Sequence, residues 1–299
     1  MAEPPRVASS LDALSELIDW QPISDLLAPL YPARKGEPGW PPLAMVKALL
    51  LAMWHDLSDV KLAEALDDRA SFRRFCGFAR LEAPPERTAF VGFRRLLAAH
   101  RLDGGLFEAI TAQLKAKAIT VKTGTLVNAT IIASASKEDG EGRWVKHKGR
   151  PAIHGFKAHV GADASTALVE KVSVTPANVN DGRAGDAALP DNPGEVFADS
   201  AYRGACFRAA VRTRGGTPRV ILTAMWGRDE QDTLARLDAW NRPIHRIRGR
   251  IEKIFGTWKR SYELRRMRWR GLAKAAVQVH FTAIAYNFKR TINILATTG

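Results

Sequence analysis

The chain has 299 residues, 46% hydrophobic and 25% charged, which is typical of a globular protein long enough for two domains. Its 45 Lys and Arg against 31 Asp and Glu give a formal net charge of +14, which indicates a polyanionic partner, with nucleic acid as the default. Two cysteines exclude a disulfide framework and favour a reducing compartment, and no secretory signal or bilayer-spanning stretch is predicted.

The first 118 residues predict helices and no strand. Apolar residues recur at helical spacing, and Ser58 and Thr88 are good candidates for N-caps. The predicted helices cover residues 11–18, 43–54, 59–66, 71–75, 89–99 and 103–117. We therefore expect an all-helical N-terminal domain over residues 1–118.

The pattern changes at about residue 119. Runs at 126–133, 155–162 and 168–174 have the β-branched or alternating character of strands, and short polar connections predict an antiparallel meander. Further strands are predicted at 195–198 and 219–223, and helices near 181–189, 203–214, 244–260 and 272–295. Residues 119–299 thus predict a mixed α/β domain, with a polar, mobile loop between 134 and 154.

The positive charge is concentrated near the end of the chain. Residues 241–270 contain nine Arg and two Lys against Glu252 and Glu263, a net +9. Apolar residues at helical spacing interrupt this block, so it predicts a folded helix with a basic face that contacts phosphates rather than a disordered tail.

Three polar residues are candidates for a site. Asn128 interrupts an apolar strand, Asp199 follows a short strand, and Glu252 is an acid within the basic helix. Each also has an ordinary explanation: a buried hydrogen bond, a helix N-cap, and an intrahelical ion pair. His245, Arg248, Glu252 and Lys259 share one helix face by spacing, where a carboxylate beside cations can hold a metal next to a phosphate.

In chain order these residues resemble the acidic-triad (DDE) transposases, most closely bacterial insertion-sequence transposases of the IS-five group. The likeness covers roughly residues 40–290. It rests on SFRRFCGF (71–78), RTAFVGFRRLL (87–97), GTLVNATIIASAS (124–136), HGFKAHVGADAST (154–166), VTPANVNDG (174–182), VFADSAYRG (196–204) and HRIRGRIEKIFGTWKR (245–260). The last of these is similar to the family signature Y-x2-R-x3-E-x6-K, with His245 where Tyr is usual.

The resemblance implies an RNase H-like catalytic domain over residues 119–299, preceded by a helical domain for DNA binding or dimerisation. Asn128, Asp199 and Glu252 then fall on the three positions that hold Mg²⁺ or Mn²⁺. It further implies a homodimer that binds terminal inverted repeats and target DNA in a bacterial cytoplasm, associated with the nucleoid and not with a membrane. The expected DNA contacts are His245, Arg246, Arg248, Arg250, Lys259, Arg260, Arg265, Arg266 and Trp258, although Trp258 suits a core position equally well.

The main departure from the family pattern is Asn128, where the family has an aspartate. An amide keeps one carbonyl oxygen but loses the negative charge that Mg²⁺ prefers, so we expect the chain to bind DNA and to cut it poorly. Three explanations stay open: an engineered Asp→Asn change, a naturally inactivated or domesticated copy, or a different register in which Asp163 or Asp139 supplies the ligand.

Two other functions fit the sequence. A domesticated, non-catalytic transposase would bind a specific DNA site without cleaving it. A general nuclease of RNase H type would cut without end preference, but it leaves the helical N-terminal residues unexplained.

Overall fold

The computed structural model describes residues 10–30, 39–79, 82–118, 122–146, 149 and 151–298. The chain forms two compact units, one of Met1–Lys117 with His280–Gly299 and one of Ala118–Val279. The second predicted domain, 119–299, therefore differs from the compact unit at its end. Aromatic contacts explain the difference, because Phe288 stacks on Trp20 with ring centroids 5.9 Å apart.

The described residues of the first unit before residue 119 form helices and short turns, as predicted. Ser58 caps α4 through its side chain, which accepts from the Lys61 N–H, whereas the Thr88 cap is wrong because α6 begins two residues earlier than predicted, after Glu86. The α-helices are α1 (Ser10–Glu16), α2 (Gln21–Leu27), α3 (Pro42–Trp54), α4 (Asp59–Asp68), α5 (Ala70–Cys76), α6 (Arg87–Ala99) and α7 (Leu102–Ala118).

Polar contacts inside this unit are few and well placed. Arg94, nearly fully buried, is held by both Asp59 carboxylate oxygens at 2.6 and 2.7 Å. Trp54 donates its indole N–H to the Ala285 carbonyl at 2.9 Å. Such pairings satisfy groups that would otherwise be costly to bury.

The second unit is built on a mixed six-stranded sheet. Its strands are β1 (Gly124–Ala133), β2 (Arg143–Val145), β3 (Ile153–Asp163), β4 (Val169–Pro176), β5 (Glu195–Ala198) and β6 (Thr217–Val220). β1 pairs antiparallel with β3, and β3 pairs antiparallel with both β4 and β2. β5 pairs parallel with β1, and β6 pairs parallel with β5. The antiparallel pairing of β1 with β3 and of β3 with β4 confirms the predicted meander.

Three helices accompany the sheet: α8 (Asp181–Ala184), α9 (Ala205–Thr213) and α10 (Glu230–Ser261). A further helix, α11 (Leu272–Thr298), begins in this unit, and its residues from His280 onward belong to the first unit. Helix α10 begins 14 residues before the predicted start at 244 and continues through Pro243. Its extra turns carry the i,i+4 pairs Asp232–Arg236 and Asp238–Arg242. Pairs of this kind support a helix that contains a proline.

The two faces of the sheet pack differently. Val127, Val196 and Ala198 join Phe207 and Val211 of α9 in one apolar cluster on the first face. Because side chains alternate along a strand, Asn128 lies on the opposite face. Helix α10 also packs against β1 and β5, and none of its residues belongs to that cluster, so we place it on the face of Asn128.

The segment after β1, which we predicted to be a loop, contains regular structure and hydrogen bonds to α11. It contains β2, and its buried Asp139 accepts from the Gly271 N–H while Glu141 accepts from the Leu272 N–H, so both carboxylates lie at the start of α11. Residues 147, 148 and 150 of the predicted loop lie outside the described residues.

No described helix is both long and apolar enough to cross a membrane. Cys76 and Cys206 are both free thiols.

Candidate active site

Asn128 and Asp199 lie on adjacent parallel strands. The register of β1 and β5 pairs Leu126 with Phe197, and two further residues along each strand lead to Asn128 and Asp199. Neighbouring strands are about 4.8 Å apart, and the alternation of side chains puts Asn128, in the middle of β1, and Asp199, directly after β5, on the same face of the sheet. The structure thus brings together two of the three residues predicted for the site.

Each of these two side chains also makes a local hydrogen bond. Asn128 Oδ1 accepts from the Ala129 N–H at 2.8 Å. Asp199 Oδ1 caps the short 3₁₀ turn over Ser200–Tyr202 by accepting from the Ala201 N–H at 2.9 Å. The predicted N-cap explanation of Asp199 and its place at the strand end are therefore both observed.

Arg248 reaches this edge from α10. Its Nη2 lies 3.4 Å from Asp199 Oδ2, and its side chain is only 10% exposed. Its Nε has no hydrogen-bond partner among the described residues, so Asp199 is the main anion that compensates this buried cation. Glu252, one helical turn further along, is exposed.

No group of three or more His, Cys, Asp or Glu side chains in the described residues is placed to hold a metal ion. Asp199 offers a carboxylate and Asn128 an amide oxygen at this edge, and Glu252 carries a further carboxylate on the same helix as Arg248. These are hard oxygen donors of the type that Mg²⁺ prefers, but they carry two negative charges where three carboxylates would carry three. The donor type fits a divalent cation, and the charge is one short.

A polar cluster beneath the turn of Asp199 was not predicted. Buried Lys157 contacts Asp181 at 2.7 Å and donates to the Val179 carbonyl at 2.8 Å. Gly182 lies so near that turn that a Cβ there would sit 2.9 Å from the Ala201 carbonyl oxygen. The motifs HGFKAHVGADAST and VTPANVNDG contain Lys157 and Asp181, but sequence spacing alone does not pair them.

Tyr202 completes this cluster. It is fully buried, and its hydroxyl has no hydrogen-bond partner among the described residues. Burial raises the pKa of Tyr202, and the nearby carboxylates of Asp181 and Asp199 raise it further, so its phenol stays neutral. A Cβ at Gly185 would lie 2.6 Å from the Tyr202 ring, which explains the missing side chain there.

His159 lies on the same face as Lys157. Its Nε2 is 2.9 Å from Thr175 Oγ1, and its Nδ1 has no partner among the described residues. Burial lowers the pKa of His159 to about 4, with Lys157 lowering it further and Asp181 opposing the shift. The ring is therefore neutral at neutral pH.

The predicted DNA contacts fall into three environments. His245, Arg246 and Arg250 are exposed on α10, where Arg246 and Arg250 help to line a groove of about 760 Å³ together with Arg242. Arginines four residues apart on a helix follow one another at a rise of about 6 Å. Arg260 is exposed as well, and Lys259 is half-buried.

Arg265 and Arg266 are exposed, and their side chains donate hydrogen bonds to backbone carbonyl groups. Arg266 donates to the carbonyls of Ser134 and Ala135, while Arg265 donates to the Lys259 carbonyl. The backbone at Arg266 also forms a bridge with Ala133 at the end of β1.

Trp258 requires a correction. It is fully buried, and its indole N–H has no partner among the described residues. The stacking contact with DNA that we predicted for it is therefore wrong in this structure, and the core position that we considered equally is the one observed.

The alternative metal ligands are engaged elsewhere. Asp163 pairs across the sheet with Thr125, three residues before Asn128 and on the other face of the sheet, and its Oδ1 accepts from the Ser165 and Thr166 N–H groups. Asp139 holds the start of α11, as described above. A shifted register does not bring either carboxylate to Asp199, so Asn128 remains the residue at that position.

A strand-end acid beside a cation-bearing helix in a mixed α/β unit is chemically suited to binding a phosphate group or a metal ion. Residues 119–288 match the family model described as the transposase DDE domain, and residues 4–96 match a transposase domain family (DUF772). The chain belongs to the transposase DDE domain family. A cryo-EM structure of the piggyBac transposase synaptic complex with hairpin DNA aligns with a TM-score of 0.47 and 9% identity over 95% of this chain and 79% of that chain.

Proposed function

We propose that the chain is a DNA transposase of the IS-five group whose RNase H-like unit, residues 118–279, carries a phosphoryl-transfer site. The observation that supports this most directly is the β1–β5 register, which sets Asn128 beside Asp199, with Arg248 of α10 on the same carboxylate. Family membership supports the same reaction class.

In this proposal Asn128, Asp199 and Glu252 hold Mg²⁺ or Mn²⁺. The cation, when bound, supplies positive charge to the attacking and leaving oxygens at phosphorus. Asp199 and Glu252 provide the charged donors, and Asn128 provides a neutral one.

The residues of the chain have separate roles. Asp199 is kept in place by its own cap on Ala201 and by the buried cluster beneath it. Arg248, held by Asp199, adds a fixed positive charge where a phosphate approaches. His245, Arg246, Arg250, Lys259, Arg260, Arg265 and Arg266 supply the basic surface that neutralises the DNA backbone.

Asn128 makes this site weak. The amide removes a unit of negative charge from the metal ligands, so the chain should bind DNA and cleave it slowly. We further propose that the helical unit contacts terminal inverted repeats, and that two chains pair so that two DNA ends react together.

The test is a cleavage assay on duplex DNA taken from the inverted repeats that flank the coding gene. Asn128→Asp should gain Mg²⁺- or Mn²⁺-dependent nicking at the repeat ends relative to the parent chain, because it restores the missing charge. The double variant Asn128→Asp/Glu252→Gln is the matched control and should lose that gain. Absence of any gain in Asn128→Asp would refute a cleavage function at this site.

The second candidate is a non-catalytic, domesticated transposase, and Asn128 is the observation that favours it. It predicts specific, salt-sensitive binding to one DNA sequence, with no cleavage by the parent chain or by the Asn128→Asp variant. The same assay, read together with DNA binding, separates the two functions.

A further inference from the structure

The hairpin formed by β2 and β3 presents an exposed aromatic and basic surface. Trp144 is 53% exposed and Ile153 is 38% exposed, and Arg143 and Lys146 beside them are exposed too. Residues 143–162 contain no Asp or Glu. The surface therefore suits a partner that is negatively charged and offers flat apolar faces.

Trp144 is exposed but firmly supported. Its ring packs on His154, the residue opposite it in the hairpin, with centroids 5.3 Å apart. His154 Nδ1 is held in turn by Ser134 Oγ at 2.7 Å. Gly142 leaves room for the His154 ring, because a Cβ at residue 142 would lie 2.6 Å from that ring. One side of Trp144 is supported, so binding on its open side requires little further ordering.

The acidic residues before the hairpin do not neutralise it, because they are used elsewhere. Asp139 and Glu141 accept from backbone N–H groups at the start of α11, and Glu138 pairs with Arg270 at 3.4 Å. The positive charge of Arg143 and Lys146 is thus left for an external anion.

The hairpin lies at the same end and on the same face of the sheet as the candidate active site. Asn128 pairs with Val160, and Trp144 pairs with His154, six residues earlier on β3. Even-numbered residues of β3 share one face, so Trp144 and Asn128 do as well. Six residues of strand span about 20 Å, the length of about six nucleotides of one DNA strand.

We propose that this surface, Arg143, Trp144, Lys146 and Ile153, binds a DNA strand about six nucleotides from the phosphate at the active site. The two cations contact the backbone, and Trp144 stacks on an unpaired base. The inference rests on the proposed function, since it needs DNA at Asn128 and Asp199. It adds a contact that lies outside α10 and replaces the stacking role that buried Trp258 cannot perform.

The test measures DNA affinity of the full chain by fluorescence anisotropy. The probes are a blunt 30-base-pair duplex from the flanking repeat and the same duplex with a ten-nucleotide single-stranded extension. Trp144→Ala should weaken binding of the extended probe about tenfold, and Trp144→Phe should retain most of the affinity. Trp226→Ala is the matched control, because Trp226 is also an exposed tryptophan (99%) but lies outside the hairpin, before the start of α10. The affinity of this variant should stay within twofold of that of the parent. Circular dichroism checks that each variant is folded.

The outcomes separate the two proposals. If the parent binds the extended probe and Trp144→Ala changes affinity no more than Trp226→Ala, the hairpin proposal is overturned and the transposase proposal stands. Equal losses on the blunt and extended probes also overturn it, because stacking on an unpaired base requires the extension. If the parent binds neither probe, both proposals fail.

Discussion

Restoring a carboxylate at position 128 should make the metal-free protein less stable. Asn128→Asp places a second negative charge about 6 Å from Asp199 across adjacent strands. Coulomb's law gives a repulsion of about 0.7 kcal/mol at the dielectric constant of water and about 2.8 kcal/mol at an effective value of 20. Because 31% of the Asp199 side chain is exposed and Arg248 lies beside it, we expect about 1 kcal/mol.

For a unit of this size, that free energy corresponds to a Tm lowered by about 2–4 °C. A divalent cation should reverse the effect, because it binds the folded variant through the two adjacent carboxylates. With 10 mM Mg²⁺ and a Kd of about 1 mM, the variant gains about 1.4 kcal/mol.

The assay is thermal unfolding of parent and variant with EDTA or with 10 mM Mg²⁺, in the absence of DNA. The parent should respond to Mg²⁺ less than the variant does. Asn192→Asp, an exposed substitution of the same chemistry in the same unit, controls for general charge effects. An unchanged Tm in EDTA together with an unchanged Mg²⁺ response would show that residue 128 is not beside Asp199 in a metal site.

Three further predictions concern stability and DNA binding. His159, with its pKa lowered to about 4, is neutral in the folded protein but protonates below about pH 6.5 in the unfolded chain. The free energy of unfolding should therefore fall by up to about 3 kcal/mol as the pH drops from 6.5 to 4. Urea unfolding of His159→Gln should show a shallower fall, and a pH profile identical to that of the parent would contradict this. Asp59→Ala removes the carboxylate that holds buried Arg94 and should cost about 3 kcal/mol in urea unfolding, whereas a loss below 1 kcal/mol would mean that other groups compensate Arg94. Arg246→Ala should reduce the salt slope of DNA binding by about one, and an unchanged slope would mean that Arg246 contacts no phosphate, while Trp258→Phe should leave the affinity unchanged because Trp258 is buried.

Much of the architecture could be predicted from local patterns. The helices before residue 119 and the antiparallel meander follow from apolar spacing and β-branched runs, and Ser58 follows from cap chemistry. Strand β2 was missed because three residues, Arg143–Val145, are too short for a period to appear. Helix α10 was cut short at Pro243, since a proline is more often a helix start than an interior residue.

The candidate site was predictable as a set of residues but not as a set of contacts. Asn128 and Asp199 could be placed at strand positions, and the register that makes them neighbours had to come from the structure. Arg248 and Glu252 were expected on one helix face, yet only Arg248 is buried against Asp199. The Lys157–Asp181 pair joins residues 24 positions apart, and sequence periodicity does not predict contacts at that separation.

The composition of the helical unit affects when it can form. Residues from His280 onward belong with Met1–Lys117, and Phe281, Ala285 and Phe288 are buried there. A ribosome releases these residues only after it has made the whole sheet-bearing unit. The helical unit must therefore keep apolar surface exposed until residues 280–298 have been made, and a fragment ending at Lys117 would lack the helix that covers Trp20 and Trp54.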